Sequence, residues 1–172
     1  GGWSPGLVWT QIDGPAAATI YASASEDTPV DFTLPGTYRF QLQGTDGGTV
    51  LVSETLVAVD DTYAQWALRN SLVTAPNEDE DGDGIENLCE YAYDLDPKVR
   101  DSFSVLALNN GAFEYTRYLR KSDIAYEIEE STSLSGWSGV ANTLVSATAD
   151  TEQHSYILPE GVRWFVRLKI TR

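Results

Sequence analysis

The 172-residue chain has a single cysteine, Cys89, a single histidine, His154, and 11 Lys and Arg against 26 Asp and Glu. One cysteine excludes an internal disulfide, so cysteine usage leaves the redox compartment open. The shortage of cations argues against nucleic acid, whose phosphates require a basic stripe. No apolar run reaches the length of a membrane-spanning helix. The opening Gly1-Gly2-Trp3-Ser4-Pro5 lacks the charged and apolar regions of a signal peptide and reads as the interior of something longer. Also missing are a Gly-x-Ser-x-Gly elbow, a Cys/His pair, an HExxH helix and a phosphate-cradling glycine loop. Acids are plentiful, but nothing sets two of them across a cleft as glycoside hydrolysis needs. His154 falls in a segment read as a strand, where a lone histidine is more often a packing residue than a general base. The chain therefore reads as non-catalytic, at most a non-catalytic part of a larger enzyme.

The net charge of −15 is unevenly distributed: residues 1–60 carry −6, residues 61–100 carry −7 and residues 101–172 only −2. An acidic chain with its charge concentrated in the middle points to cations as partners.

Extended segments punctuated by turn residues run along residues 7–59, at Leu7 to Gln11, Thr19 to Ala22, Tyr38 to Gln43 and Val50 to Val59. In the third, Tyr38, Phe40 and Leu42 alternate with Arg39, Gln41 and Gln43, giving one packed and one wet face. The period changes at Asp60-Asp61, where Tyr63, Trp66 and Ala67 fall at helical spacing behind an Asp N-cap. A second helix is read from Ile85, Leu88, Cys89 and Ala92, and Asp96-Pro97 stops it. Strand patterns return at Ser104 to Leu108, Phe113 to Leu119, Ile124 to Glu129, Leu144 to Ala147, His154 to Leu158 and Val162 to Ile170. Glu127 and Glu129 are expected to pair across strands with Arg163 and Arg167. The predicted fold is mainly β: two small antiparallel β-sandwiches, residues 1–60 and 100–172, joined by a short helix–calcium loop–helix connector at 61–99.

Between the two helical patterns, Asp79-Glu80-Asp81-Gly82-Asp83-Gly84-Ile85-Glu86-Asn87-Leu88-Cys89-Glu90 fits the twelve-residue calcium loop. Asp79, Asp81 and Asp83 occupy positions one, three and five, where alternate carboxylates can converge on one hard cation. Gly84 at position six permits the sharp turn. Ile85 offers its carbonyl at seven, Asn87 contributes at nine directly or through water, and Glu90 at twelve can bind with both oxygens. Calcium is expected over zinc because no His or Cys lies where it would complete a soft site, and over magnesium because the loop offers many flexible oxygens. The five acids of Glu78 to Asp83 repel one another until a divalent ion neutralises them. One loop between two β regions suggests a structural brace rather than a sensor.

Three stretches resemble known families. Trp9-Thr10-Gln11 with Gly14-Pro15, then Phe32-Thr33-Leu34-Pro35-Gly36-Thr37-Tyr38 and Asp46-Gly47, look like the second half of a PKD-type immunoglobulin-like domain; the first strands of that family are not present. Asp79 to Pro97 resembles the calcium repeats of thrombospondin type 3 and dockerin-like modules, in the single-loop form found near the C-termini of secreted bacterial multidomain proteins. A dockerin carries two such loops, which counts against cohesin binding. Residues 115–137, with Tyr126-Glu127-Ile128-Glu129 and Ser131-Thr132-Ser133 before Trp137, look like the β-sandwich that follows that loop. The resemblance implies an extracellular or cell-surface accessory module that braces or docks the rest of its own precursor. The alternative is a carbohydrate-binding module of a polysaccharide-degrading enzyme, with Trp3 and Trp137, in irregular contexts, as stacking platforms.

Overall fold

In the computed structural model, which describes residues 6–102, 107–158, 160 and 164–172, the chain is mainly β with two short helices and divides into two compact units, up to Asp60 and from Asp61 onward. Trp3, Ser104, Val162 and Arg163 lie outside the described residues.

The first unit holds a three-stranded antiparallel sheet in the order β1 (Gly6–Asp13), β4 (Gly36–Asp46), β5 (Thr49–Val59), with β2 (Thr19–Ile20) and β3 (Val30–Asp31) forming a separate pair. The alternation read along β4 is realised: Tyr38 and Phe40 are buried and Arg39 between them is exposed. Phe32 packs its ring 4.7 Å from that of Tyr38, and the Tyr38 hydroxyl donates to the Leu34 carbonyl. The β4–β5 hairpin turns at Gly47 and Gly48, both at positive φ, where a side chain would be strained. Among the described residues β5 pairs only with β4, and Val50, Leu51, Val52 and Leu56 along it are more than half exposed.

The second unit begins with α1 (Tyr63–Arg69). Its N-cap is Thr62, whose hydroxyl accepts from the Gln65 N–H while the Gln65 side chain accepts from the Thr62 N–H. This corrects the expected Asp cap: Asp is in principle at least as good a cap as Thr, but Asp61 has another role. It is 1% exposed, its carboxylate is clasped by Arg69 at 2.6 and 3.1 Å, and Lys121 lies 3.6 Å away. Helix α2 (Asn87–Tyr93) starts two residues later than read from Ile85 and ends at Asp94, which is in the left-handed conformation with Leu95 N–H donating back to the Glu90 carbonyl. Leu88 and Cys89 are half-buried and Ala92 fully buried, and Asn87, Glu90, Tyr91 and Tyr93 are buried as well. The helix is thus enclosed almost all round.

The remaining strands form two antiparallel sheets. One runs β10 (Thr143–Ala147), β11 (Thr151–Ile157), β7 (Ala112–Tyr118), β6 (Ala107–Asn109); the other runs β12 (Phe165–Thr171), β8 (Ala125–Ser131), β9 (Ser138–Val140). Glu129 lies directly opposite Arg167 and Glu127 opposite Lys169, and Lys169 also reaches Glu129 at 2.9 Å. Those two cations hold the Glu129 carboxyl below its usual range.

Tyr91 ties these elements together. Its ring packs edge-on against Tyr63 and tilted against Trp66, and the Lys121 ammonium sits 4.7 Å from its centroid. Its hydroxyl faces the Asp61 carbonyl at 3.0 Å and the Asp123 carboxylate at 2.8 Å. Burial and the Asp123 charge push the phenol pKa up, so it remains the donor. Tyr91→Phe removes one donor from each acceptor, while the Asp61 carbonyl keeps Ser122 and Asp123 keeps the Tyr63 N–H and Arg172, and is expected to lower stability by about 0.5–1.5 kcal/mol in denaturant unfolding; an unchanged midpoint would show that the hydroxyl contributes nothing net.

Candidate metal centre

The loop from Asp79 is shaped by its own backbone. Gly82 and Gly84 have φ of +74° and +97°, and these reversals turn successive N–H groups inward. Asp79 accepts from the N–H groups of Gly82, Asp83 and Gly84 at 2.7, 3.2 and 2.8 Å, Asp81 accepts from Asp83 at 3.1 Å, and Asp83 accepts from Ile85 at 2.7 Å. One oxygen from each of Asp79, Asp81 and Asp83 lies within 4.8 Å of the other two. Three carboxylates at that separation repel strongly unless a cation sits among them.

Each responds differently. The Gly84 N–H, helped by those of Gly82 and Asp83, holds the Asp79 carboxyl below its usual range despite some burial. Burial, with the charges of Asp83 and Asp79, pushes Asp81 up, and one of its oxygens is buried without a hydrogen-bond partner.

Glu90 is the most demanding group. It projects from the first turn of α2, is 1% exposed, and has neither oxygen hydrogen-bonded among the described residues. Burial comes first, followed by the charges of Asp81, Asp83, Asp79 and Asp101, in pushing its pKa up to about 7. The charges of all three loop aspartates act on it, although its carboxyl is not part of the close group formed by Asp79, Asp81 and Asp83. A buried carboxylate with two unpartnered oxygens has the chemistry of a donor to a hard cation.

Asn87, at the first turn of α2, is fully buried. Its amide nitrogen donates to Thr74 Oγ1 and the Ala75 carbonyl, its backbone N–H to the Glu78 carbonyl, and its Oδ1 is buried without a partner. It therefore clamps the 74–78 segment against the helix, which leaves Oδ1 as its only group for a ligand. Ile85 is half-buried.

Sequence reasoning passed over a second layer. The N–H of Asp101 donates to Asp83 Oδ2 at 2.7 Å, and Arg100 Nε donates to the Asp81 carbonyl at 2.9 Å. These residues lie beyond the loop and beyond the Asp96-Pro97 stop, so no spacing rule leads to them. The only hint is that a cation follows a strongly acidic segment.

Away from the loop, Trp137 is half-buried and the Arg167 guanidinium carbon lies 4.3 Å from its ring centroid, which covers one face of the proposed sugar platform. His154 has Nδ1 2.7 Å from Asn142 Oδ1 and Nε2 3.0 Å from Glu152 Oε2, and it stacks on Tyr115 at 5.2 Å. No family model, curated protein or solved structure matches this chain.

The sign of the Glu90 effect is testable without metal. A carboxyl with an ordinary value of 4.5 that rises to about 7 on folding binds its proton more tightly in the folded state, so stability is full below about pH 4.5 and is lost as pH rises to 7. In chelator at pH 8, Glu90→Gln should raise stability by roughly 2–3 kcal/mol, shrinking towards nothing near pH 4.5. Loss of stability in the variant at pH 8 would mean that the carboxylate has a partner in the folded protein.

Proposed function

We propose that residues 79–90 bind one calcium ion and that the chain is a non-catalytic accessory module of a larger extracellular protein, in which the ion braces adjoining structure. The observation that carries the reading is Glu90, whose two buried oxygens lack partners beside the aspartate triad. Asp79, Asp81, Asp83 and Glu90 would hold the ion by their carboxylates, with the Asn87 Oδ1 and the Ile85 carbonyl as the further oxygens of the set. Such an all-oxygen set suits calcium, which accepts six to eight ligands in a flexible geometry, better than magnesium with its strict octahedron. The bound cation supplies positive charge and nothing else; the chain's residues do the bracing.

A structural rather than signalling role is supported by the surroundings of Glu90. Its neighbour on α2, Tyr91, is fixed by the Asp61 and Asp123 contacts, so the helix that carries the ligand is already anchored in the second unit. The non-catalytic reading is supported by His154, both of whose ring nitrogens are engaged by side chains. The accessory reading is supported by β5, an apolar edge of the kind that takes up a strand from a partner. The same proposal includes the finer architecture, two small sandwiches with the helix–calcium loop–helix between them in sequence.

Calorimetric titration of the chelator-treated protein with calcium tests it, with thermal melting in parallel. One-site binding is expected, with stability raised by about 2.7 kcal/mol at a hundredfold excess over Kd. Asp81→Ala combined with Glu90→Ala should abolish both. No heat and no melting shift in the unaltered protein would overturn the calcium reading.

A further inference from the structure

The first unit holds a cleft of about 360 Å³, lined from one side by the three-stranded sheet and from the other by the β2–β3 pair. Trp9, Phe32 and Phe40 line it together with aliphatic side chains of β2, β3 and β5, and the rings of Phe32 and Phe40 meet edge to face at 6.2 Å. Glu26 and Asp27 complete the lining and are exposed, so they stand at its mouth. The loop that carries these acids is braced by the cleft's own wall. The Trp9 indole N–H donates to the Ser25 and Glu26 carbonyls at 3.1 and 3.4 Å, its main-chain N–H donates to the Ser23 carbonyl at 2.7 Å, and Thr28 closes the loop by accepting from the Ala22 N–H at 2.9 Å. Neither acid has an ion-pair partner among the described residues. Arg39, the one Lys or Arg in residues 1–60, is exposed on β4 between the buried Tyr38 and Phe40, so it faces away from the cleft and lies 3.8 Å from Glu54.

We propose that this cleft binds a small organic cation, an ammonium group on an apolar body, with the body against the aromatic side chains and the charge at Glu26 and Asp27. An aromatic ring attracts a cation through its quadrupole, and carboxylates at the rim supply the counter-charge that the first unit itself lacks. The volume lies at the lower end of the roughly 300–1,000 Å³ usual for small-molecule sites, which suits a compact ligand. Because the acid-bearing loop is already held by Trp9 and Thr28, little ordering is left to be done when the ligand arrives. A neutral sugar fits the lining less well, since it needs donors as well as acceptors. The cleft has no amide or cationic side chain, and the Trp9 indole N–H and the Thr28 hydroxyl are engaged within the protein, which leaves the Thr55 hydroxyl. An anion meets two like charges. The inference is independent of the calcium loop, which belongs to the second unit.

The test titrates the full chain with 2-phenylethylammonium chloride and, separately, with 2-phenylethanol, its uncharged counterpart, and follows the amide and indole N–H resonances by heteronuclear NMR. The ammonium is expected to move the Trp9 indole N–H and the amides of Phe32 and Phe40, and to bind about tenfold more tightly than the alcohol. The double variant Glu26→Gln with Asp27→Asn, which keeps both side-chain shapes and removes both charges, should bring the ammonium down to the affinity of the alcohol. Thermal melting shows whether that variant is folded, and the comparison of the two probes on the unaltered protein decides the matter without it. Equal affinity for the two probes, or an unmoved Trp9 indole resonance, would overturn the inference and leave the calcium reading standing. Movement confined to residues 79–90 would overturn it too, because the cation would then be meeting the acidic loop instead of the cleft.

Discussion

An ionisable group taken out of water must either lose its charge or acquire a compensating one, and Glu90 is where this chain meets that requirement. The carboxyl is enclosed on a buried helix beside four other acids, with no donor among the described residues to receive it. The local folding of the loop follows from the same need. Glycines at 82 and 84 reverse the backbone so that N–H groups turn onto the carboxylates of Asp79 and Asp83, which gathers negative charge in the loop at some cost in repulsion.

That cost is tolerated because the helix carrying Glu90 is held from elsewhere. Tyr91 packs with Tyr63 and Trp66 into an aromatic cluster, and its hydroxyl reaches backbone at Asp61 and side chain at Asp123. Asp61 is itself neutralised by Arg69 and Lys121, and Lys121 turns back to Asp94 at the end of the same helix, at 2.8 Å. The charges in this hub are paired and the charges in the loop are not. Buried acids with cationic partners at hydrogen-bond distance are satisfied by the fold itself, while a buried acid without one is the kind of group on which the proposed calcium site rests.

Much of this was legible in the sequence where a single period or spacing governs. The alternation of β4 and the pairing of Glu129 with Arg167 followed from the two-residue repeat, since cross-strand neighbours are fixed once faces are known. The three aspartates of the triad were found by spacing because the loop is local. The two-residue strands β2 and β3 and the short β9 carry too few residues for a period; β3 and β9 went unread. Asp61 was mistaken for a cap because its partners, Arg69 and Lys121, are distant in sequence. The burial of Asn87 and Glu90 was hidden for a related reason: an apolar stripe marks one buried face, whereas α2 is covered on nearly every side. Asp101 was illegible because hydrogen bonds from main-chain N–H leave no trace in residue identity.

The hub also sets an order of assembly. The Asp61 N–H donates to the Arg120 carbonyl, its carbonyl accepts from Ser122, and Tyr91 is secured by Asp123, so the helix bearing Glu90 has no stable seat until residues 120–123 exist. On a ribosome the acidic loop emerges first and waits, as a free and mutually repelling run of carboxylates, for roughly thirty further residues to clear the exit tunnel. Seating of Glu90 is therefore tied to chain elongation: until residues 120–123 have been made, only the aspartates that the loop's own N–H groups orient have a fixed place.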